Sequence, residues 1–322
     1  MHHRSAVRSL LLLLAACARP GGPAERIIVP SGATFRAVAD SLDAHGLIGW
    51  RPWFLTVARV GKFDRAIKPG IYEFARGTSA LTMLRTLRKG EFVAIRFTVP
   101  EGRTVLDIAA LAEERLQIPR DSLLRTARDT SLLRSHGIGA PSAEGYLAPE
   151  TYLVPAHSTA RDVVVMMLDQ FEAAWDSSWT ARLDSVDLNR AQVVTLASIV
   201  EGEAQVDEER PVIAGVYLNR LRIGMALQAD PTVQYAIQLA TGARKPRLLN
   251  ADYAFPSPYN TYLNPGLPPG PVGAPGRKSI EAVLYPEQVP YLYFVATGGG
   301  RHSFSRTYDE HLRNVARGRA GR

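Results

Sequence analysis

Apolar and polar residues follow two different spacings along the chain, and these spacings predict short strands and many helices. Apolar runs that end at a Pro-x-Gly turn, as at Val29 and Val99, predict strands. Apolar residues three or four apart, as in the segment 105–112, predict helices. Helical spacing dominates after residue 160, and the segment 291–304 predicts a β-hairpin. We therefore expect an α+β fold, and 322 residues allow more than one domain.

A short internal repeat lies in the first third of the chain. The segments VPSGATFRAVADSL, from Val29, and VPEGRTVLDIAALA, from Val99, each predict a strand, a turn and a helix. Thr34 and Thr104 are predicted N-caps, because a hydroxyl can accept a hydrogen bond from a free N–H of the first helical turn. The unit resembles LysM-type modules, which bind the amino-sugar backbone of peptidoglycan or chitin. A generic small α/β unit is the alternative. We assign residues 23–140 to this LysM-like portion.

The Pro/Gly-rich stretch GAPSAEGYLAPETYLVP predicts a domain boundary near residues 140–155. We assign residues 141–322 to a mainly helical α+β domain with a small β-hairpin. It begins with a long helical pattern, ARDVVVMMLDQFEAAWDSSW, followed by a helix from about Asn189 to Ala204. The next helix has Pro211 in its first turn and ends at Gly224. The segment 252–276 is a loop rich in proline and glycine, and loops of this length in compact domains are often functional.

The N-terminus predicts export from the cytoplasm. In MHHRSAVRSLLLLLAACARPGG, basic residues precede an apolar run from Leu10 to Ala16, which is too short to span a bilayer. This pattern is typical of a secretory signal. The single cysteine of the chain, Cys17, follows LAA as in a bacterial lipobox, so we expect an acylated mature N-terminus. An uncleaved anchor or a plain signal peptide is the alternative. We predict a membrane anchor in residues 1–22 and a periplasmic protein of the bacterial envelope.

Charge and composition narrow the possible partners. The net charge of +7 would suit nucleic acid, a membrane surface or an acidic cell-wall polymer. Outside the chain ends there is no Lys/Arg-rich block with interleaved aromatic residues, so we expect no binding of nucleic acid. The 7 histidines form no His-x-x-x-His pattern, and one cysteine cannot form an internal disulfide. We therefore predict no metal site and no cofactor.

The helix that ends in LASIVEGEA carries the candidate chemistry. Glu201 shares a face with Val194 and Ala197, whereas Glu203 lies about 200° further round. The two carboxylates should therefore point to opposite sides. Apolar residues surround this helix, which predicts that it is buried and that Glu201 is partly desolvated, as a general acid often is. From the pattern alone, an ordinary residue at a helix end is the other interpretation of Glu201.

Four segments carry a family resemblance: LASIVEGEA, ERPVIAGVYLNRLRIGMALQADPTVQYA, YNTYLNPGLPPGPVGAPG and PYLYFVATGGGRHSFS. In this order they resemble the MltG (YceG-like) endolytic murein transglycosylases, and the resemblance extends over nearly the whole chain. It implies a lyase that cleaves the MurNAc–GlcNAc bond of peptidoglycan, leaves a 1,6-anhydro-MurNAc end and terminates glycan elongation. It further implies that Glu201 is the single catalytic acid/base and that cell-wall synthases are possible partners.

Two features depart from the family pattern. The lipoprotein-like N-terminus stands where a single membrane-spanning helix is usual, and Gly202 stands where a longer polar residue is common. The alternative function is a non-catalytic peptidoglycan-binding lipoprotein that acts as a scaffold. Glu201 favours the enzyme, because a scaffold would not need a carboxylate at that position.

Further polar and aromatic residues are candidates for substrate binding, since aromatic rings pack on sugars and amides bond to hydroxyls. Gln228 could bond to an acetamido group, whereas Asp230 could bind substrate or cap the helix that begins near Pro231. His302 could belong to the site or be the partner of a carboxylate. The predicted substrate-binding residues are Asn219, Arg220, Gln228, Asp230, Tyr259, Asn260 and Tyr262.

Overall fold

A computed structural model of the chain describes residues 23–30, 32–65, 67–90, 93–156 and 158–320. The predicted anchor, including Cys17, lies outside these ranges. Within them, no helix has both the length and the apolar character needed to cross a membrane. The chain divides into two compact units, one with residues up to Ile95 and Leu153–Ser158, the other with Arg96–Tyr152 and the residues from Thr159 onwards.

The fold is α+β, with helices and short paired strands in the described ranges. The strands are β1 (Ala24–Val29), β2 (Gly70–Ala75), β3 (Ala94–Thr98), β4 (Thr151–Pro155), β5 (Tyr293–Gly298) and β6 (Arg301–Ser305). They pair as β1 with β2, β3 with β4 and β5 with β6. The first and last pairs are antiparallel, with Ile27 opposite Tyr72 and Phe294 opposite Phe304. The predicted hairpin near the C-terminus is thereby confirmed.

The helices of the first unit are α1 (Phe35–Ala44), α2 (Arg51–Val60) and α3 (Ala80–Lys89). Those of the second unit are α4 (Val105–Leu116), α5 (Arg120–Thr126), α6 (Thr130–Ser135), α7 (Ala160–Ala174), α8 (Ser177–Val186), α9 (Arg190–Glu203), α10 (Arg210–Arg222), α11 (Asp230–Thr241), α12 (Arg277–Leu284) and α13 (Tyr308–Ala320). Two 3₁₀ helices, Asp207–Glu209 and Asn250–Ala254, lie between them.

The first unit has its own apolar core between the β1–β2 pair and helices α1–α3. Fully or almost fully buried residues from each of these elements form it, among them Ile27, Val38, Leu42, Phe54, Tyr72, Met83, Leu84 and Leu87. Thr34 accepts a hydrogen bond from the N–H of Ala37, which confirms the predicted cap of α1. Whether this unit binds peptidoglycan as a LysM module stays a prediction.

Both copies of the repeat form a strand, a turn and a Thr-capped helix, but they belong to different units. The second copy leads into α4, where Thr104 accepts from the N–H of Asp107 and Asp107 accepts from the N–H of Thr104. Residues 96–140 belong to the second unit, whereas the sequence placed the boundary near 140–155. The physical reason is the burial of α4 in that unit, where Gln238 of α11 donates to Asp107.

One predicted helix of the second unit is divided in two. The pattern from residue 160 to 179 predicted continuous helix, but α7 ends at Ala174 and α8 begins at Ser177. Asp176 accepts from the N–H of Ser178, so it starts a new helix instead of continuing the old one. At the centre of this unit, α9 packs against α8, α10, α11 and α12.

Candidate active site

Helix α9 carries the candidate acid at its C-terminal end. A capping box fixes its start, because Asn189 accepts from the N–H of Gln192 while Gln192 accepts from the N–H of Asn189. Every residue from Val193 to Val200 is buried, as the apolar pattern predicted. The helix ends at Glu203, so Glu201 lies in its last turn, between the buried core and the surface.

The Glu201 carboxylate is held from several directions and its side chain is only 7% exposed. The Ser279 hydroxyl and the N–H of Gly276 donate to Glu201 Oε2 at 2.8 and 3.0 Å. The Arg210 guanidinium lies 3.1 Å from Oε1. Ser279 and Gly276 belong to α12 and its N-cap, and Arg210 begins α10. Two segments, the start of α10 and the start of α12, therefore fix the orientation of this carboxylate.

Arg210 links Glu201 to a second carboxylate at the surface. Its Nε donates to Asp207 Oδ1 at 3.0 Å, and its Nη1 donates to the Ser279 hydroxyl at 2.5 Å. Lys278 also donates to Asp207. Hydrogen bonds from Lys278 and Arg210 lower the pKa of the Asp207 carboxyl below its usual value. Arg210 is thus bonded to three acceptors, and its own position is well determined.

The turn of the second VP-x-G-x-T copy lies beside Glu201. The N–H of Gly102 donates to the carbonyl of Ala274 at 2.7 Å, and the N–H of Ala274 donates to the carbonyl of Arg103 at 2.8 Å. A Cβ at Gly102 would lie 3.7 Å from Glu201 Cγ. Gly102 has φ +73°, a conformation in which glycine is favoured. This turn brings Glu101 into the neighbourhood of Glu201.

Glu203 lies in a different environment on the other side of the helix end. Its Oε1 accepts from the Tyr217 hydroxyl at 2.9 Å, and the N–H of Asp230 also bonds to its carboxylate. Burial and, to a smaller extent, the nearby charge of Asp230 raise the pKa of Glu203 to about 7. Within the described residues, Glu203 and Glu201 are bonded to different partners, as expected of two carboxylates that point to opposite sides of the helix.

Of the predicted substrate-binding residues, Asp230 and Tyr262 lie on the Glu203 side. The Tyr262 hydroxyl donates to Asp230 Oδ1 at 2.7 Å. The helix α11 begins at Asp230 itself, and Ala229 stands at the N-cap without a side-chain bond, so the alternative that Asp230 caps this helix is wrong. Gln228 is exposed, with φ +50°, and its N–H donates to the carbonyl of Thr261.

The amide and guanidinium groups among the predicted residues bond to backbone carbonyls of the protein. Asn219 donates to the carbonyls of Val289 and Tyr291, and Arg220 donates to those of Leu292 and Leu227. Asn260 is fully buried, and its amide donates to the carbonyls of Tyr253 and Phe255. These contacts order the loops around the helices, and they leave these donors engaged within the protein.

The two remaining candidates, Tyr259 and His302, contact residues other than Glu201. The ring of Tyr259 packs edge-on against Tyr235, with 4.9 Å between the ring centroids. His302 Nδ1 lies 2.7 Å from Glu209 Oε2, so His302 is the partner of a carboxylate, the second of its two predicted interpretations. Within the described residues, no group of three or more His, Cys, Asp or Glu side chains is placed to hold a metal ion.

The sequence interpretation missed Arg210, Ser279 and Glu101 as neighbours of Glu201. Arg210 stands directly before Pro211 at a predicted helix start, and Ser279 follows the proline- and glycine-rich loop, so each had only a local explanation. For Glu101 a signal existed, because the first copy of the repeat has Ser31 at the same position. A glutamate there is not required by the turn.

Comparison with known proteins connects this geometry to a family. The profile of the YceG-like family matches residues 27–317. The endolytic murein transglycosylase of Bacillus subtilis (strain 168) is 29% identical over 300 residues, which cover 88% of this chain and 82% of the relative. The endolytic murein transglycosylase of Streptococcus pneumoniae serotype 2 is also 29% identical, and the match spans 57% of that longer protein.

The fold of this chain is similar to that of a solved relative. The crystal structure of a YceG-like protein from Listeria monocytogenes has a TM-score of 0.62 and 30% identity, with 91% of this chain and 99% of the other covered. The family match and this fold both extend over nearly all of the described residues. The chain belongs to the YceG-like family.

Proposed function

We propose that this protein is an endolytic lytic transglycosylase of peptidoglycan, a lyase that cleaves the MurNAc–GlcNAc bond and leaves a 1,6-anhydro-MurNAc end. The observation that carries the proposal is the buried carboxylate of Glu201, held by Ser279, Gly276 and Arg210 at the end of the central helix. The proposal is further supported by two relatives of the same family that are named endolytic murein transglycosylases.

One carboxylate can perform both proton transfers of this reaction. As an acid, Glu201 donates its proton to the glycosidic oxygen, and the electron pair of the C1–O bond leaves with that oxygen. As a carboxylate, Glu201 then takes the proton of the C6 hydroxyl while that oxygen closes onto C1. No water is added, so the product is an anhydro sugar. Hydrolytic glycosidases instead use a second carboxylate to activate water or to attack C1.

The surroundings of Glu201 suit the second half of this sequence. The donors on Oε2 and the Arg210 guanidinium beside Oε1 hold the carboxylate in one orientation, which a group that must take a proton from one particular hydroxyl requires. Glu203 is the competing acid, because a pKa of about 7 is a property of many general acids. We assign the chemistry to Glu201 because the resemblance of its LASIVEGEA segment to the family implies that role, and an experiment can separate the two.

The matched pair Glu201→Gln and Glu203→Gln tests this assignment. Full-length wild-type protein and each variant are incubated with purified sacculi, and the soluble products are analysed by mass spectrometry. We expect anhydro ends from the wild type and from Glu203→Gln. Glu201→Gln should lower the rate by about 10²–10⁴-fold, because an amide cannot donate and recover the proton. Unchanged binding to sacculi would show that the variant is folded.

Each other outcome supports a different conclusion. An inactive Glu203→Gln beside an active Glu201→Gln would transfer the acid role to Glu203. Reducing ends in place of anhydro ends would indicate a hydrolase. If the wild type binds sacculi but releases no product, the non-catalytic peptidoglycan-binding scaffold becomes the better function.

Several finer features belong to the same proposal. We propose anchoring at Cys17, a periplasmic location, peptidoglycan binding by the first unit, and termination of glycan elongation beside cell-wall synthases. Among the predicted binding residues, exposed Gln228 and the half-buried Tyr259 and Tyr262 retain surface that could contact a sugar. The buried amide of Asn260 and the bonded groups of Asn219 and Arg220 support these loops from within.

A further inference from the structure

A second glutamate, Glu101, lies at the Glu201 site and has no assigned role. It stands in the turn before α4 and is exposed. Within the part of the chain that the structure describes, its carboxylate has no hydrogen bond or ion pair within bonding distance. A helix-capping or core function therefore does not account for it, and neither does a salt bridge.

Glu101 and Glu201 meet the same backbone residue, Gly276. The N–H of Gly276 donates to Glu201 Oε2 at 3.0 Å. A Cβ built on Gly276 would lie 1.9 Å from Glu101 Oε1, so the Glu101 carboxylate rests directly on the Cα of this glycine. The turn that carries Glu101 is fixed to the same loop by the two backbone hydrogen bonds between Gly102–Arg103 and Ala274. The backbone that carries the second carboxylate is therefore fixed beside the Glu201 site.

Charged side chains surround Glu101, but the nearby cations are paired with other carboxylates. Partial burial raises the pKa of Glu101, and the negative charge of Glu201 raises it further. Arg210 and Lys278 lower this pKa and Asp207 raises it, which identifies the charged groups around the carboxylate. Both cations bond to other carboxylates. Arg210 is paired with Glu201 and with Asp207, and Lys278 is paired with Asp207. Within the described residues, no cation is bonded to Glu101, so its negative charge is not neutralised by an ion pair there.

We propose that Glu101 is a second catalytic carboxylate, which stabilises the positive charge that develops on the muramyl ring as the glycosidic bond breaks. The inference rests on the proposed transglycosylase function and extends it. Glu101 forms no covalent bond and transfers no proton. Glu201 protonates the leaving oxygen, positive charge spreads over C1 and the ring oxygen, and the C6 oxygen then closes onto C1 as its proton passes to Glu201. A negative charge beside the ring stabilises the charged state more than the neutral substrate.

The substitution Glu101→Gln tests this role because it keeps the size of the side chain and removes the charge. We expect kcat to fall about 10- to 100-fold, less than the loss for a fully buried stabilising group, while KM and the melting temperature stay near wild type. Glu101→Asp should recover part of kcat. Glu208→Gln, which changes another exposed glutamate of the same unit, should leave kcat unchanged.

The pH profile gives a readout that a merely structural residue would not change. A carboxylate that must be charged loses its effect as the pH falls through its pKa. Since the pKa of Glu101 is raised, kcat of the wild type should decline at a higher pH than an ordinary glutamate would cause. In Glu101→Gln, this part of the decline should be absent and the plateau lower.

Three results would overturn the proposal: a wild-type kcat in Glu101→Gln, an increase in KM alone, or an unchanged pH profile. Failure of the proposed function is distinguishable, because then the wild type itself would release no anhydro product. If Glu201→Gln is inactive and Glu101→Gln is fully active, the transglycosylase assignment stands and only the role of Glu101 is rejected.

Discussion

The orientation of the candidate acid, Glu201, depends on the groups that bond to its carboxylate, and the most important of these is the hydroxyl of Ser279. Ser279 is fully buried, donates to Glu201 Oε2 and accepts from Arg210. It therefore connects the acid to the cation and fixes their mutual orientation. A charged hydrogen bond of this kind contributes about 1.5–3 kcal/mol. Its removal should affect the reaction through the orientation of Glu201.

We predict that Ser279→Ala lowers kcat about 10-fold with little change in KM, since the substrate is bound by other groups and orientation matters in the transition state. Steady-state kinetics on glycan strands measure this. Ser198→Ala is the matched control, because this buried hydroxyl of α9 accepts from the N–H of Val272 and does not touch the carboxylate. Equal losses of kcat in both variants would contradict a specific role of Ser279.

At the scale of elements, the site forms where three helix ends meet one loop. The end of α9 brings Glu201, the start of α10 brings Arg210, and the start of α12 brings Ser279. The loop before α12 must also approach the turn that carries Glu101 very closely. Gly273 shows this, because a Cβ there would lie 2.8 Å from the carbonyl oxygen of Gly102.

Gly276→Ala is expected to lower activity without destabilising the fold. Its backbone has φ −73°, which alanine adopts without strain. The three atoms nearest to the added methyl group all belong to the Glu101 side chain. That side chain should be pushed away from the site, which lowers kcat about as much as Glu101→Gln while the melting temperature stays within a few degrees. Gly139→Ala, where the Cβ meets open space, is the control. A wild-type kcat in Gly276→Ala would show that the position of Glu101 is irrelevant.

Some of this arrangement could be predicted from sequence, because local rules determine it. The caps at Thr34 and Thr104, the start of α9 near Asn189 and its burial follow from residue types and spacing within a few residues. The break between α7 and α8 at Asp176 was not predicted, because the helical pattern of the sequence continues across it. Glu201 contacts Gly276 and Ser279, which lie 75 and 78 positions further along the chain. No periodicity in the sequence predicts contacts between residues so far apart.

For the whole molecule, two buried carboxyls connect stability to pH. Burial raises the pKa of Glu144 from 4.5 to about 8, and its carboxylate accepts from the N–H of Val105 and the Tyr235 hydroxyl. Burial likewise raises the pKa of Glu203 to about 7. Between the unfolded and folded pKa values, the folded state binds more protons than the unfolded state, so stability falls as the pH rises.

We predict that the contribution of these two groups to the free energy of unfolding is full at and below about pH 4.5 and is lost as the pH rises to about 8. Each group contributes a slope of at most about 1.4 kcal/mol per pH unit. Glu144→Gln should remove the part of the slope that persists between pH 7 and 8. Urea denaturation at several pH values measures it, with Glu114→Gln on the exposed face of α4 as the control. A Glu144→Gln slope equal to the wild-type slope would exclude this linkage.

The position of Glu201 in the last turn of α9 has a consequence for the limits of mutagenesis. The aligned peptide dipoles of a helix place roughly half a negative charge at its C-terminal end. Under the proposed function, the sugar acquires its positive charge beside this end. The backbone therefore supplies an electrostatic field that favours the charged sugar whatever side chains surround it. No single substitution removes that field. Even a protein that lacks the carboxylates of Glu201 and Glu101 should therefore keep part of its preference for a cationic sugar.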